Sequence, residues 1–170
     1  MNRTAHLLLG ILIACSSGVA CAQVPAVLGT WKLNVEASRF PGPAPQTQVR
    51  SYRLIDDGFV IGVAVIVDAQ GRPTFLQFAA RPDGKDYPEF STDSAAKYLR
   101  DGTKPPRTYA EIPTSDPLKV KWVDKLGGKV IVSGEKWVSA DGKKMSFTVY
   151  AKDDSGKEVQ SLFVFDRTGT

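Results

Sequence analysis

The chain has 170 residues, 42% of them hydrophobic, and carries 22 lysines and arginines against 18 aspartates and glutamates, a formal net charge of +4. Its one histidine, His6, and its two cysteines, Cys15 and Cys21, all fall in the first 22 positions. From Gln23 onward the composition excludes disulfides, zinc sites built on Cys or His, and Cys–His or Ser–His–Asp nucleophile systems.

In chain order, Arg3 opens a short positive region and "LLLGILIA" (7–14) supplies an apolar core. "ACA" (20–22) has the small-x-small pattern of a cleavage site, so residues 1–22 read as a signal peptide and Gln23 as the mature start. Export to the periplasm or the medium is the expected localisation. The apolar run is shorter than the ~20 residues a helix needs to cross a bilayer, so no transmembrane anchor is expected. "LIAC" (12–15) carries the alternative, a lipoprotein box that would lipidate Cys15.

Residues 23–170 read as a single domain. Period-two runs alternate with turn signals: "GTWKLN" (29–34), "TQVRSYRLI" (47–55), "FVIGVAVIV" (59–67), "TFLQFAA" (74–80), "PRTYAEI" (106–112), "LKVKWVD" (118–124), "KVIVSGEKWV" (129–138), "MSFTVYA" (145–151) and "EVQSLFVFD" (158–166). Between them stand "DDG", "DAQGRP", "RPDGK", "KLGG", "SADGK" and "DDSGK", rich in the Gly and Asp that tight hairpins need. Short strands joined at hairpin length predict an all-β fold, an antiparallel up-and-down meander β-barrel of about 8–10 strands.

Three segments depart from that rhythm. "STDSAAKYLRDG" (91–102) predicts a short helical insertion over 94–101, with Asp93 as N-cap and Gly102 as stop, either surface decoration or a lid over one barrel end. The run 59–67 is apolar on both faces, so a cover is expected outside it: the insertion, the N-terminal tail, or a second copy in a homodimer. Gly62 within it predicts a bend or bulge. "LKVKWVDK" (118–125) alternates lysines with apolar residues, which reads as a strand with a solvated lysine face; no nucleic-acid partner is expected.

"GTWKL" (29–33) resembles the Gly-x-Trp motif of the calycin superfamily, the lipocalins and fatty-acid-binding proteins. The stretch "GTWKLNVEASRFPGPAP", the turn "DGKDYP" (83–88) and the ending "SLFVFDR" look like small exported lipocalin-like proteins of bacteria. The resemblance implies that Gly29 and Trp31 plug the closed end of a barrel and that Arg167 packs on the tryptophan by cation–π contact.

Arg50 and Tyr52 lie two apart on one strand face. Fatty-acid-binding proteins hold a carboxylate with an Arg-x-Tyr pair on their last strand, so an inward-facing pair here would suit an acidic headgroup. Gln77, Tyr109, Trp122, Trp137 and Tyr150 are further candidates to line a lumen, since amphipathic side chains pack on a ligand and still hydrogen-bond. Glu135 shares a face with Trp137 and is read as an exposed carboxylate. The expected function is binding of a small hydrophobic or amphipathic molecule in a barrel cavity, without cofactor or metal. Two alternatives stand beside it: a cell-envelope interaction module that self-associates through the apolar strand, and an acid–base isomerase or cyclase in a lipocalin-like cup.

Overall fold

A computed structural model describes residues 26–153 and 155–169. The expected signal peptide, Cys15 and the start at Gln23 lie outside the described residues. Ten strands are present: β1 (Gly29–Leu33), β2 (Thr47–Leu54), β3 (Val60–Val67), β4 (Pro73–Ala80), β5 (Tyr87–Ser91), β6 (Arg107–Pro113), β7 (Lys119–Leu126), β8 (Lys129–Val138), β9 (Lys144–Lys152) and β10 (Glu158–Gly169). One helix, α1 (Thr92–Asp101), separates β5 from β6. Each strand pairs antiparallel with its chain neighbour, and β10 returns to β1, so the sheet closes into a barrel. Closure gives every strand two neighbours, with the pairing shortest at β5, which meets β6 only at Tyr87 and Pro88.

The meander sorts the connections by end. The N-terminal residues 26–28 and the turns 55–59, 81–86, 114–118 and 139–143 gather at one end. The long segment 34–46, the turn 68–72 and α1 gather at the other. The first end is sealed. Trp31 is fully buried, and its Nε1 donates to the Val27 carbonyl at 2.7 Å. The Arg167 guanidinium lies 4.1 Å from the Trp31 ring centroid and donates to the carbonyls of Gly142, Leu28 and Ala26. Gly29 sits at φ +119, and a Cβ there would stand 2.6 Å from Arg167 Nη1, so both backbone and space require glycine.

β5 is absent from the sequence-based strands. "YPEFS" is short, contains a proline, and inverts the usual polarity: Glu89 pairs beside the inward Phe78, and Phe90 faces out beside Gln77. Ser91 ends β5 and also caps α1, taking the place expected for Asp93. The Ser91 hydroxyl accepts from Ser94 N, and the Ser94 hydroxyl accepts from Ser91 N, a reciprocal box that starts the helix earlier than 94. Gly102 ends it in the left-handed conformation, φ +70.

The helix is not a lid. Tyr98 packs edge-on against the outward Phe90 at 5.4 Å, so α1 leans on the outer wall, and Leu99 is 84% exposed. The residues that line the mouth come from elsewhere, among them the Pro-rich segment 40–45 and the turn 68–72. That segment is pinned to β10: Arg39 and Leu162 exchange backbone hydrogen bonds, Ser38 Oγ accepts from Val164 N, and Phe40 packs edge-on against Phe163 at 4.9 Å. The outer face of β3 stays partly uncovered, with Val65 48% exposed. Gly62 makes no bulge. It pairs regularly with Tyr52 and Phe78, and a Cβ there would meet Phe78 Cζ at 2.3 Å, so the glycine makes room for an inward aromatic ring.

Candidate functional site

Side-chain parity sets what enters the barrel. β2 turns Gln48, Arg50 and Tyr52 inward, β6 turns Arg107, Tyr109 and Glu111 inward, and β7 turns Trp122 and Asp124 inward. Four rings form an internal wall. Phe78 stacks on Tyr109 at 3.9 Å, Tyr109 faces Trp122 at 6.4 Å, and Trp122 stacks on Phe147 at 4.6 Å, each pair within 23° of parallel. This wall borders an inner cavity of about 210 Å³. A wider mouth of about 510 Å³, lined in part by Phe40, Pro43, Gln48 and Phe163, opens above it. Arg50 and Val149 line both spaces and mark the passage between them.

Arg50 is held in place. Its guanidinium lies 4.5 Å from the Phe147 ring centroid, and Nη1 donates to the Tyr52 hydroxyl at 3.4 Å. The buried Gln48 amide, with its oxygen toward the guanidinium, accepts from Nε and Nη2 at 2.8 Å each. The pair expected to grip a headgroup is therefore inward, and its members are bonded to each other.

Across the cavity, Arg107 bridges two buried carboxylates. Its Nη2 donates to Asp124 Oδ2, and its Nε lies 2.5 Å from Glu89 Oε1. That second contact is a close ion pair, with the two atoms occupying each other. Burial, reinforced by the Asp124 charge, pushes the Glu89 carboxyl up to about 7, against the pull of Arg107 and Arg50. Burial also raises Asp124, against its bond to Arg107.

The sign of the pH effect follows. Between the ordinary 4.5 and about 7, folded Glu89 holds a proton that the unfolded chain releases. Its contribution to stability is full below 4.5 and is lost as pH rises through about 7. The shift corresponds to about 3 kcal/mol. Glu89→Gln mimics the protonated form. In urea unfolding, the variant should gain about 2–3 kcal/mol on the wild type between pH 5 and pH 8; parallel pH profiles would contradict this.

Deeper in the barrel, the Lys136 ammonium is 1% exposed. It donates to Glu111 Oε1 at 2.5 Å, where the Tyr109 hydroxyl also donates at 2.6 Å, and it lies 4.6 Å from the Tyr52 ring centroid. Burial, then the Glu111 charge, raises the Tyr109 phenol well above its ordinary value. Among the described residues, no group of three or more His, Cys, Asp or Glu side chains is placed to hold a metal ion.

The structure thus brings Arg50, Tyr52, Tyr109 and Trp122 to one cavity and leaves three expected lining residues outside. Gln77 is exposed, beside Val63 and Phe90 on the outer face. Trp137 packs outside against Lys119, whose Nζ is 5.5 Å from the ring centroid and also donates to Glu135 at 2.9 Å. Tyr150 faces an outer groove with Val130 and Ile131. Each has the opposite parity to an inward neighbour: Phe78, Lys136 and Val149. Sequence reasoning missed Arg107, Asp124 and Phe147, although Arg107 precedes Tyr109 by two and Asp124 follows Trp122 by two. It missed Glu89 because β5 carried no strand signal.

No protein-family model matches the chain, and no curated protein matches it in sequence. Solved structures do match. A point variant of the fluorescent protein UnaG aligns with a TM-score of 0.55 and 17% identity, over 86% of this chain and 99% of that one. Wild-type UnaG aligns with a TM-score of 0.52 and 18% identity, over 86% and 100%. With the closed ten-strand meander, these matches decide the architecture. The fold is a closed antiparallel meander barrel like that of UnaG. In this barrel the sealed end lies under Trp31, and the passage at Arg50 leads in from the opposite, open end.

Proposed function

We propose that the chain binds a small hydrophobic or amphipathic molecule inside its barrel. The observation that carries this reading is the aromatic-walled inner cavity, reached from an open mouth past a charged side chain common to both. Apolar walls with a few placed polar groups are the usual make-up of a small-molecule site. Stacked rings favour a flat ligand body. That UnaG, a fluorescent protein by name, shares the fold agrees with a barrel used as a container.

Native mass spectrometry of the purified protein against a panel of small amphipathic and aromatic molecules tests the reading. A one-to-one adduct is expected, accompanied by a change in Trp122 fluorescence. Arg50→Ala should weaken an amphipathic binder about tenfold, through loss of a charge-assisted contact. No adduct anywhere in the panel would overturn it.

The place of action belongs to the same proposal. Residues 1–22 are removed on export, and 23–170 work as one barrel domain in the periplasm or the medium. The composition of "LLLGILIA" and "ACA" supports this. A mature N-terminus at Gln23 is expected; an acylated Cys15 would replace the soluble reading with a lipoprotein.

A further inference from the structure

The polar lining of the inner cavity is unusual in what it leaves unpaired. Trp122 and Asp124 both border the cavity, and each keeps one buried polar atom with neither a hydrogen bond nor an ion-pair contact: Trp122 Nε1 and Asp124 Oδ1. Glu89 Oε1 and Arg107 Nε, which also border it, lie 2.5 Å apart and are occupied by each other. Trp122 and Asp124 are each at least nine-tenths buried. Native proteins rarely leave such groups unmatched, and two around one cavity call for a common partner. One of these atoms is an acceptor and the other a donor.

Charge narrows the partner further. Arg50 from β2 and Arg107 from β6 face Glu89 from β5 and Asp124 from β7, so the cluster is neutral once Glu89 is ionised, above about pH 7. There a charged ligand would bring an unbalanced charge into the interior, which is costly, whereas a neutral one would not. A cavity of about 210 Å³ exceeds the ~150 Å³ that suffices for benzene. It suits one or two fused rings rather than a long acyl chain. The Phe78–Tyr109 and Trp122–Phe147 stacks demand flatness.

We infer that the inner cavity binds a small, neutral, planar heterocycle whose edge carries both N–H donors and carbonyl or ring-nitrogen acceptors. The inference rests on the ligand-binding reading above and names the ligand class. An N–H group satisfies Asp124 Oδ1, and an acceptor satisfies Trp122 Nε1. Tyr109 contributes its ring only, because its hydroxyl is committed to Glu111.

Three probes test this on the purified protein: pterin, a fluorescent fused 2-amino-4-oxo heterocycle; naphthalene, of similar size without the polar edge; and decanoate, a chain with a carboxylate. Pterin should bind, followed by its fluorescence anisotropy, in preference to the other two. Trp122→Phe keeps a ring and deletes one donor, and the ratio of pterin to naphthalene affinity should fall about tenfold. Asp124→Asn, which is isosteric and puts an amide NH2 in place of the unpaired Oδ1 while its oxygen still accepts from Arg107, should lower the same ratio and serves if the tryptophan variant folds poorly. Binding of naphthalene or decanoate without pterin would overturn the heterocycle and leave the ligand-binding reading standing. Binding of none would remove both. An unchanged ratio in both variants would overturn the polar-edge assignment.

Discussion

Replacing Trp31 by alanine should destabilise the barrel by about 4 kcal/mol, because a fully buried aromatic side chain leaves both lost contacts and a void. The ring has more than packing to lose. Its Nε1 bond holds Val27 across the barrel end, and Arg167 lies on its face at 4.1 Å. Arg167 in turn ties Gly142, Leu28 and Ala26 through three carbonyls. Against a total stability of 5–15 kcal/mol for ordinary domains, the loss corresponds to a fall in melting temperature of roughly 10–15 °C. Arg167→Ala should cost about 2 kcal/mol alone, since it removes hydrogen bonds from a charged donor. The double variant should cost less than the sum, with about 1 kcal/mol of coupling from the cation–π contact. Calorimetry of the three variants checks this, and strict additivity would show that Arg167 and Trp31 seal the end independently. Binding at the inner cavity should survive, since the seal lies at the opposite end from the mouth.

The second large effect is expected at Lys136. Lys136→Met should cost about 3–5 kcal/mol, the range for removing one partner of a buried ion pair. The cost comes from Glu111, which would keep its charge in the interior with only the Tyr109 hydroxyl beside it. Adding Glu111→Gln removes the stranded charge and still accepts from Tyr109, so the double variant should recover most of the loss. Denaturant midpoints for the two variants decide the matter. If the single variant matched the wild type, Lys136 would not be counterbalancing Glu111 in the folded state.

Much of the barrel is legible without coordinates because the side-chain period of a strand is two and hairpin turns have their own chemistry. "KVIVSGEKWV" and "MSFTVYA" declare themselves as strands, and "SADGK" declares the turn between them. β5 fails this test for a physical reason. Its inward residue is a carboxylate and its outward residue is a phenylalanine, the reverse of what a wall strand normally shows. Glu89 is tolerable inside only because Arg107, from the next strand, reaches it. Phe90 is tolerable outside only because Tyr98 of α1 covers it. Both compensations are long-range, so no local pattern could announce them.

The same distinction governs the site. Arg50–Tyr52 and Tyr109–Glu111 are each two apart on a strand, so each pair shares a face by geometry alone. Which face points inward is decided by the register of the whole sheet, since a slip of one residue would exchange every inner and outer side chain. Gln77, Trp137 and Tyr150 fall outside for that reason, although their chemistry suits a lumen as well as that of Tyr109 or Trp122.

By itself, then, the sequence determined an all-β meander, the Gly29–Trp31 start, and a chain after residue 22 with no thiol or imidazole chemistry. Those properties depend on local period, turn residues and composition. Only the tertiary structure decided that β5 completes the wall, that Arg107 stands between Glu89 and Asp124, and that two unpaired polar atoms, Trp122 Nε1 and Asp124 Oδ1, border one aromatic-walled cavity. Those arrangements depend on closure, which brings strands distant in the chain to face each other across the barrel.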